Sequence, residues 1–193
     1  MRKFTEGLID TQRITNALGV QPGQTIIDAG CGTGYMARIF SRAVSSSGKV
    51  VAVDRDPYFI GKLADDTGHT NIDAIEGDIT RLDQLPDHCA DLLFASTVIH
   101  SLSKAKRTDF VDEARRVLKP NARLAIVEIE KKETPFGPAM ENRCSPEELI
   151  EIIPLLPLET IMVGEYFYMQ VFLNTGQRLI SVGGSGENHK PSA

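Results

Sequence analysis

The 193-residue sequence has little cysteine, no long apolar run and no excess of basic charge. Each shortage closes off a class of function. The three cysteines, Cys31, Cys89 and Cys144, are scattered and show no CxxC spacing. That pattern excludes a disulfide framework and a structural zinc site, and it suits a reducing compartment. No stretch approaches the roughly 20 apolar residues needed to cross a bilayer. The opening MRKFTEGLIDTQ lacks the apolar core of a secretory signal. A cytoplasmic protein without membrane insertion is therefore expected. Twenty-six acidic against 21 basic residues give a formal charge of −5. This leaves no general basic face to neutralise nucleic-acid phosphates.

What is present is ordinary globular material: 41% hydrophobic and 24% charged residues, enough chain for one core without staples. One domain is expected over residues 1–180. The Gly- and Ser-rich stretch 181–193 reads as a disordered tail. Short apolar runs alternate with amphipathic segments, the pattern of a mostly parallel sheet covered by helices on both faces. Strands are expected at Thr25–Asp28, Lys49–Asp54, Asn71–Asp78, Ala90–Thr97 and Arg123–Glu130, with an antiparallel pair within Thr160–Thr175 around Gly164. The spacing of Phe110, Val111, Ala114, Val117 and Leu118 predicts a helix over Lys104–Leu118, stopped by Pro120. Asp56-Pro57 reads as an N-cap followed by an N1 proline. Ser145-Pro146-Glu147-Glu148 reads as a capping box, and Pro154 and Pro157 as breaks soon after it.

The informative constellation is Ile26-Ile27-Asp28-Ala29-Gly30-Cys31-Gly32-Thr33-Gly34, running from a strand into a helix. Three glycines in five positions let the backbone turn sharply and let a ligand approach without β-carbons in the way. The loop delivers that ligand to the unpaired N–H groups of a helix start. The second strand then ends at Asp54, with Arg55 beside it. A carboxylate there can accept from both hydroxyls of a ribose diol. An adenosine-type ligand follows. The spacing is GxGxG, whereas the dinucleotide fingerprint requires GxGxxG, and Tyr35 stands at the third position of that pattern. Asp28 would repel a pyrophosphate but suits the cationic amino-acid end of S-adenosylmethionine (SAM), directly or through water. At the end of the third strand, Asp78 is placed to accept from the adenine amino group while Ile79 packs on the ring.

On these motifs the sequence resembles the class I SAM-dependent methyltransferases, in particular the small-molecule branch that includes the ubiquinone/menaquinone-biosynthesis type. The resemblance runs from about Thr11 to Thr175. It rests on Asp28–Gly34, Asp54, Gly77-Asp78-Ile79 and Ser96-Thr97-Val98-Ile99-His100-Ser101-Leu102. Leu118-Lys119-Pro120-Asn121-Ala122 resembles the family's turn before strand five, with Asn121 and Ala122 in place of the usual glycines. The resemblance implies a Rossmann-like three-layer α/β sandwich with a mostly parallel seven-stranded sheet and an antiparallel final strand. It implies SAM as cofactor, with Asp28, Gly30, Cys31, Gly32, Gly34, Asp54, Arg55, Asp78, Ile79 and Ser96 at its site. It also implies methyl transfer to a small-molecule O, C, N or S nucleophile by in-line displacement.

His100 is the candidate catalytic residue, since an imidazole past strand four can take a proton near neutral pH. The alternative is a histidine that packs over the methionine end of SAM. Cys31 reads as a small loop filler, and His69 and His88 as surface-loop residues. The long connection Lys131–Arg143 is a candidate binding loop, in which Phe136, Met140, Glu141 and Arg143 could touch substrate and Arg143 could pair with a substrate carboxylate. Tyr166 and Tyr168 either face the same cleft or belong to the core. No metal is expected: strand four ends in Ser96-Thr97 rather than the carboxylate of the superfamily's metal-dependent members, and the Asn/Asp-Pro-Pro-aromatic motif of the amino-methylating branch is absent. Two other functions fit part of the pattern: a SAM-binding protein without turnover, and an NAD-dependent oxidoreductase, which the glycine spacing opposes.

Overall fold

A computed structural model describes residues 5–176 of the chain. The stretch expected to be a tail therefore lies outside the described residues. In chain order the elements are α1 (Thr11–Ala17), β1 (Thr25–Ala29), α2 (Tyr35–Val44), β2 (Lys49–Asp54), α3 (Pro57–Thr67), β3 (Ile72–Glu76), β4 (Ala90–Ser96), α4 (Lys104–Val117), β5 (Leu118–Ile129), α5 (Pro146–Ile152), β6 (Leu156–Met162) and β7 (Phe167–Leu173). Short 3₁₀ turns lie at Ile99–Ser101 and Met140–Asn142.

The strands form one seven-stranded sheet in the order β3-β2-β1-β4-β5-β7-β6. The pairs among β1 to β5 are parallel, and β7 is antiparallel to both its neighbours. This is the expected three-layer α/β architecture. Its central strands are apolar on both faces because both faces are covered. Ile27, Ala29, Leu93, Ala95, Leu124 and Ile126 pack toward α4 and α5. Ile26, Leu92, Phe94, Ala125 and Val127 pack toward α1, α2 and α3. On the latter side Phe40 of α2 meets Phe94 edge-on, ring centroids 5.1 Å apart.

Helix ends follow their capping residues. Asp56 accepts the Tyr58 N–H ahead of Pro57. Ser103 caps α4 through the Lys106 N–H, and Ser145 and Glu148 close the expected capping box of α5. β3 closes at Glu76, two residues short of the expected Asp78, and two further boundaries differ from expectation at prolines. β5 begins at Leu118, directly after α4, and runs through Pro120. β6 begins at Leu156 and runs through Pro157, where the pairing with β7 shifts register. Proline is tolerated on an edge strand or at such an irregularity because no ladder donor is needed there. No described helix is long and apolar enough to cross a membrane.

The strand order reverses between β1 and β4, with β2 and β3 on one side and β5 on the other. In open α/β sheets the crevice at the carboxyl ends of the strands beside such a reversal is where ligands bind.

Candidate functional site

At that reversal the backbone turns out of β1 through Gly30, Cys31 and Gly32 into α2. Gly30 adopts φ +77°, and a β-carbon on it would collide with the Val98 side chain. Gly32 adopts φ +52°, and a β-carbon on it would project into open space. The first glycine is thus needed for packing, and the second keeps an approach to the backbone clear. The end of β2 holds the corner in place. The Val53 carbonyl accepts from Gly30 and Cys31 at 2.8 and 3.0 Å. Asp54 Oδ2 accepts the Gly32 N–H at 2.8 Å, and its Oδ1 accepts the Asp56 N–H at 3.0 Å. Each Asp54 oxygen keeps acceptor capacity for a further donor.

The corner opens into a cleft of about 1000 Å³ lined by residues that include Asp28, Gly30, Cys31, Gly32, Ser96 and Thr97, with Tyr58, Phe59 and Lys62 of α3 along one wall. Thr5 and Glu6 of the incoming chain also line it. That segment is tied down where the Asp10 N–H reaches the Val163 carbonyl at 2.6 Å and where the Leu8 carbonyl packs against Gly164.

Two buried oxygen atoms in this cleft have no hydrogen-bond partner, Asp28 Oδ2 and Ser96 Oγ. Both come from strand ends on the same face of the sheet, where β1 and β4 run side by side. Burial pushes the Asp28 carboxyl up to about 7; the Ala37 backbone N–H pulls it partly back, and the nearby charge of Asp54 adds to the rise. A buried polar group without a partner costs about 1–3 kcal/mol. These two oxygens therefore form a ready acceptor site for a cationic or hydrogen-bond-donating ligand group. Thr97, next in line, holds φ +55°, a conformation costly for a β-branched residue. It is fixed by its N–H to the Val127 carbonyl at 2.8 Å and its hydroxyl to the Ser96 carbonyl at 2.7 Å.

The remaining expected site residues are spread along the same edge of the sheet but do not line the cleft. Gly34, at φ +77°, caps the start of α2 without a side-chain bond. Arg55 is exposed. Asp78 accepts from Thr80 through Oδ1 at 3.0 and 2.8 Å, and from Lys106 Nζ through Oδ2 at 2.9 Å. The Lys106 ammonium does most to hold its carboxyl down near 2, opposed by burial and helped by the Thr80 donors. Ile79 is buried in the core below it. Burial, together with the charges of Asp28 and Asp54, pushes the Cys31 thiol far up. It therefore stays protonated, as a filler would. His69 and His88 are exposed loop residues.

The Lys131–Arg143 connection differs from expectation. Arg143 is 7% exposed, and its guanidinium donates to the carbonyls of Pro138, Glu130, Lys132 and Phe136 at 2.9, 3.0, 2.6 and 3.2 Å. The loop is folded around its own arginine, whose donors are used within it and not held out for a substrate carboxylate. Phe136 packs on Tyr166 and Phe167, with centroids 5.6 and 6.1 Å away. Tyr168 is a core residue whose hydroxyl donates to the Cys144 carbonyl at 2.6 Å.

One feature was not read from the sequence. Glu128, 1% exposed, lies 2.8 Å from His100 Nδ1. The signal was a carboxylate inside an otherwise apolar strand, Leu124-Ala125-Ile126-Val127-Glu128-Ile129. Such a residue is buried and needs a partner.

Comparison with known proteins bears on this geometry. Residues 27–126 match a family model described as a methyltransferase domain. A SAM-dependent methyltransferase structure from Aquifex aeolicus superposes with a TM-score of 0.80 at 26% identity, over 89% of this chain and 93% of that one. A ubiquinone/menaquinone biosynthesis C-methyltransferase of Vibrio parahaemolyticus is 33% identical over 58% of this chain and 44% of its own length. An arsenite methyltransferase of Halobacterium salinarum is 26% identical over 56% of this chain and 28% of its own. The chain thus spans less than half the length of either of these two relatives.

Proposed function

The chain belongs to the methyltransferase domain family, and from that premise we propose that it transfers the methyl group of S-adenosylmethionine to a small molecule carrying an O, C, N or S nucleophile. S-adenosylmethionine, the methyl donor of the SAM-dependent relatives, is this domain's cofactor. When bound it supplies a methyl group already activated on a sulfonium. The chain's residues then have mainly to align acceptor, methyl and sulfur for in-line displacement.

The observation that carries this reading is the pair of unpartnered buried oxygens, Asp28 Oδ2 and Ser96 Oγ, beside a glycine corner open at Gly32. They would receive the ammonium of the cofactor's amino-acid end, directly or through water. Asp54, whose oxygens keep capacity after binding the Gly32 and Asp56 amides, would accept from the ribose diol, with Arg55 next to it. Asp78 has one acceptor position left once Thr80 and Lys106 are counted. That position suits the adenine amino group, with Ile79 beneath. Cys31 and Gly34 shape the corner. His100 would take the acceptor's proton.

Thermal denaturation in the presence of SAM, S-adenosylhomocysteine or NAD tests the proposal, because a ligand that binds only the folded state raises its stability. SAM and S-adenosylhomocysteine should each raise the midpoint and NAD should not. Stabilisation by NAD alone, or by none of the three, would refute the reading. Turnover is then sought by following S-adenosylhomocysteine release against a panel of small acceptors. Binding without release across hydroxyl, amine, thiol and acidic-carbon acceptors would point to a SAM-binding protein without catalysis.

A further inference from the structure

Glu128 stands one residue before the end of β5, on the α4 and α5 side of the sheet. A carboxylate withdrawn from water is costly unless donors replace its hydration, and the cations near this corner have other partners. Lys131 is paired with Glu148, and Arg107 Nε donates to the Leu102 carbonyl. Both Glu128 oxygens go to one residue. Oε1 accepts the His100 backbone N–H at 3.1 Å, and Oε2 lies 2.8 Å from His100 Nδ1. An ionised carboxylate only accepts, so Nδ1 carries the hydrogen, and in the neutral ring Nε2 is left with its lone pair. The other ionisable groups felt in this corner are Tyr168 and Cys144, each pushed up chiefly by burial, with Glu147, Glu148, Arg107 and Lys131 around them. The imidazole side chain is 18% exposed. It stands at the rim, on the turn that follows the cleft-lining Ser96 and Thr97, and does not itself line the cleft.

We propose that Glu128 is a positioning residue that fixes His100 with Nε2 free, making that atom the general base of methyl transfer. This inference rests on the cofactor site proposed above, and it narrows the acceptor to one that arrives protonated: a hydroxyl, amine, thiol or acidic carbon. His100 Nε2 takes the acceptor's proton as the acceptor–carbon bond forms and the carbon–sulfur bond breaks, with its electron pair remaining on sulfur. The imidazolium keeps its Nδ1–H on Glu128, whose negative charge offsets the new positive one, and later returns the proton to water.

Glu128→Gln separates this role from simple tethering of the turn to β5, because it preserves shape. Its amide oxygen would take the His100 backbone N–H, so its NH₂ would face Nδ1. Nδ1 must then accept, and the ring hydrogen moves to Nε2. Nitrogen-15 NMR of the imidazoles, with the His100 signals assigned by their loss in His100→Asn, should find Nδ1 protonated in the wild type and Nε2 protonated in Glu128→Gln. Exchanging SAM for S-adenosylhomocysteine removes one methyl and the sulfonium charge. In the wild type this exchange should move the His100 Nε2 resonance more than that of any other histidine. SAM affinity should be equal in the two proteins, and any acceptor that turns over should lose roughly a hundredfold in kcat in Glu128→Gln. A wild-type Nε2–H tautomer, or an Nε2 resonance blind to the ligand exchange, would overturn the proposal without any variant. Failure of SAM to bind at all would sink the cofactor site, and the base role with it, while the tautomer measurement would still report whether Glu128 positions the ring.

Discussion

Asp28 and Glu128 both sit at carboxyl ends of strands, at 3% and 1% exposure, yet the molecule treats them in opposite ways. Glu128 has both oxygens engaged by one histidine, and Asp28 has one oxygen with no partner. The first carboxylate orients a side chain. The second is held up to about 7 and is only partly ionised near neutral pH, because burial outweighs the help its charge gets from the Ala37 backbone N–H. Strand ends two positions apart in the sheet order can thus hold a settled pair and an unsettled group, and the unsettled one is where we propose that a cation binds.

The largest test of that contrast is pH. Above the ordinary 3.8 an unfolded Asp28 ionises, whereas the folded one keeps its proton until about 7. The folded state binds the extra proton, so this group's contribution makes stability fall as pH rises from about 4 to about 7 and then level off. At about 1.4 kcal/mol per pH unit, the loss is at most about 4 kcal/mol. Urea denaturation across this range should show the slope in the wild type and lose it in Asp28→Asn; identical slopes would dissolve the contrast.

Asp54→Ala removes the acceptor of two amides at the corner and the one proposed for two ribose hydroxyls. SAM should bind about a hundredfold more weakly, roughly 3 kcal/mol for two bonds to a charged group, as read by calorimetric titration. Unchanged affinity would refute the placement of the ribose. Arg143 supplies a third buried charge, satisfied entirely by carbonyls. A lysine cannot reproduce its planar fork, so Arg143→Lys should cost roughly 2 kcal/mol, a fall in Tm of about 4–8 °C, with SAM affinity nearly unchanged. The smallest effect is expected for Cys31→Ala. Its buried, protonated thiol fills space, and SAM affinity should stay within about twofold.

The parts legible in the sequence were those written in local patterns. Apolar runs located β1, β2 and β4 to within a residue, and the caps at Asp56 and Ser145 were read correctly. The glycine corner showed itself because three glycines between a strand and a helix have few other uses. β5 and β6 were misjudged at Pro120 and Pro157, since whether a proline is tolerated depends on which neighbour strand needs its N–H, a tertiary fact. The sequence leaves Arg143 open to a substrate role for a similar reason: spacing does not show that a loop will close on its own guanidinium. Glu128 and His100 lie 28 residues apart, and only the parallel pairing of β4 with β5 brings them together.

Above all, we propose that the glycine corner holds the cofactor by its cationic end against Asp28. Calorimetric titration with SAM at pH 6 and pH 7.5, in buffers of different ionisation enthalpy, tests it most directly. Wild-type protein should release a proton on binding at pH 6 and bind more tightly at pH 7.5, and Asp28→Asn should do neither. Binding with no proton release, and with equal strength at both pH values in both proteins, would contradict it.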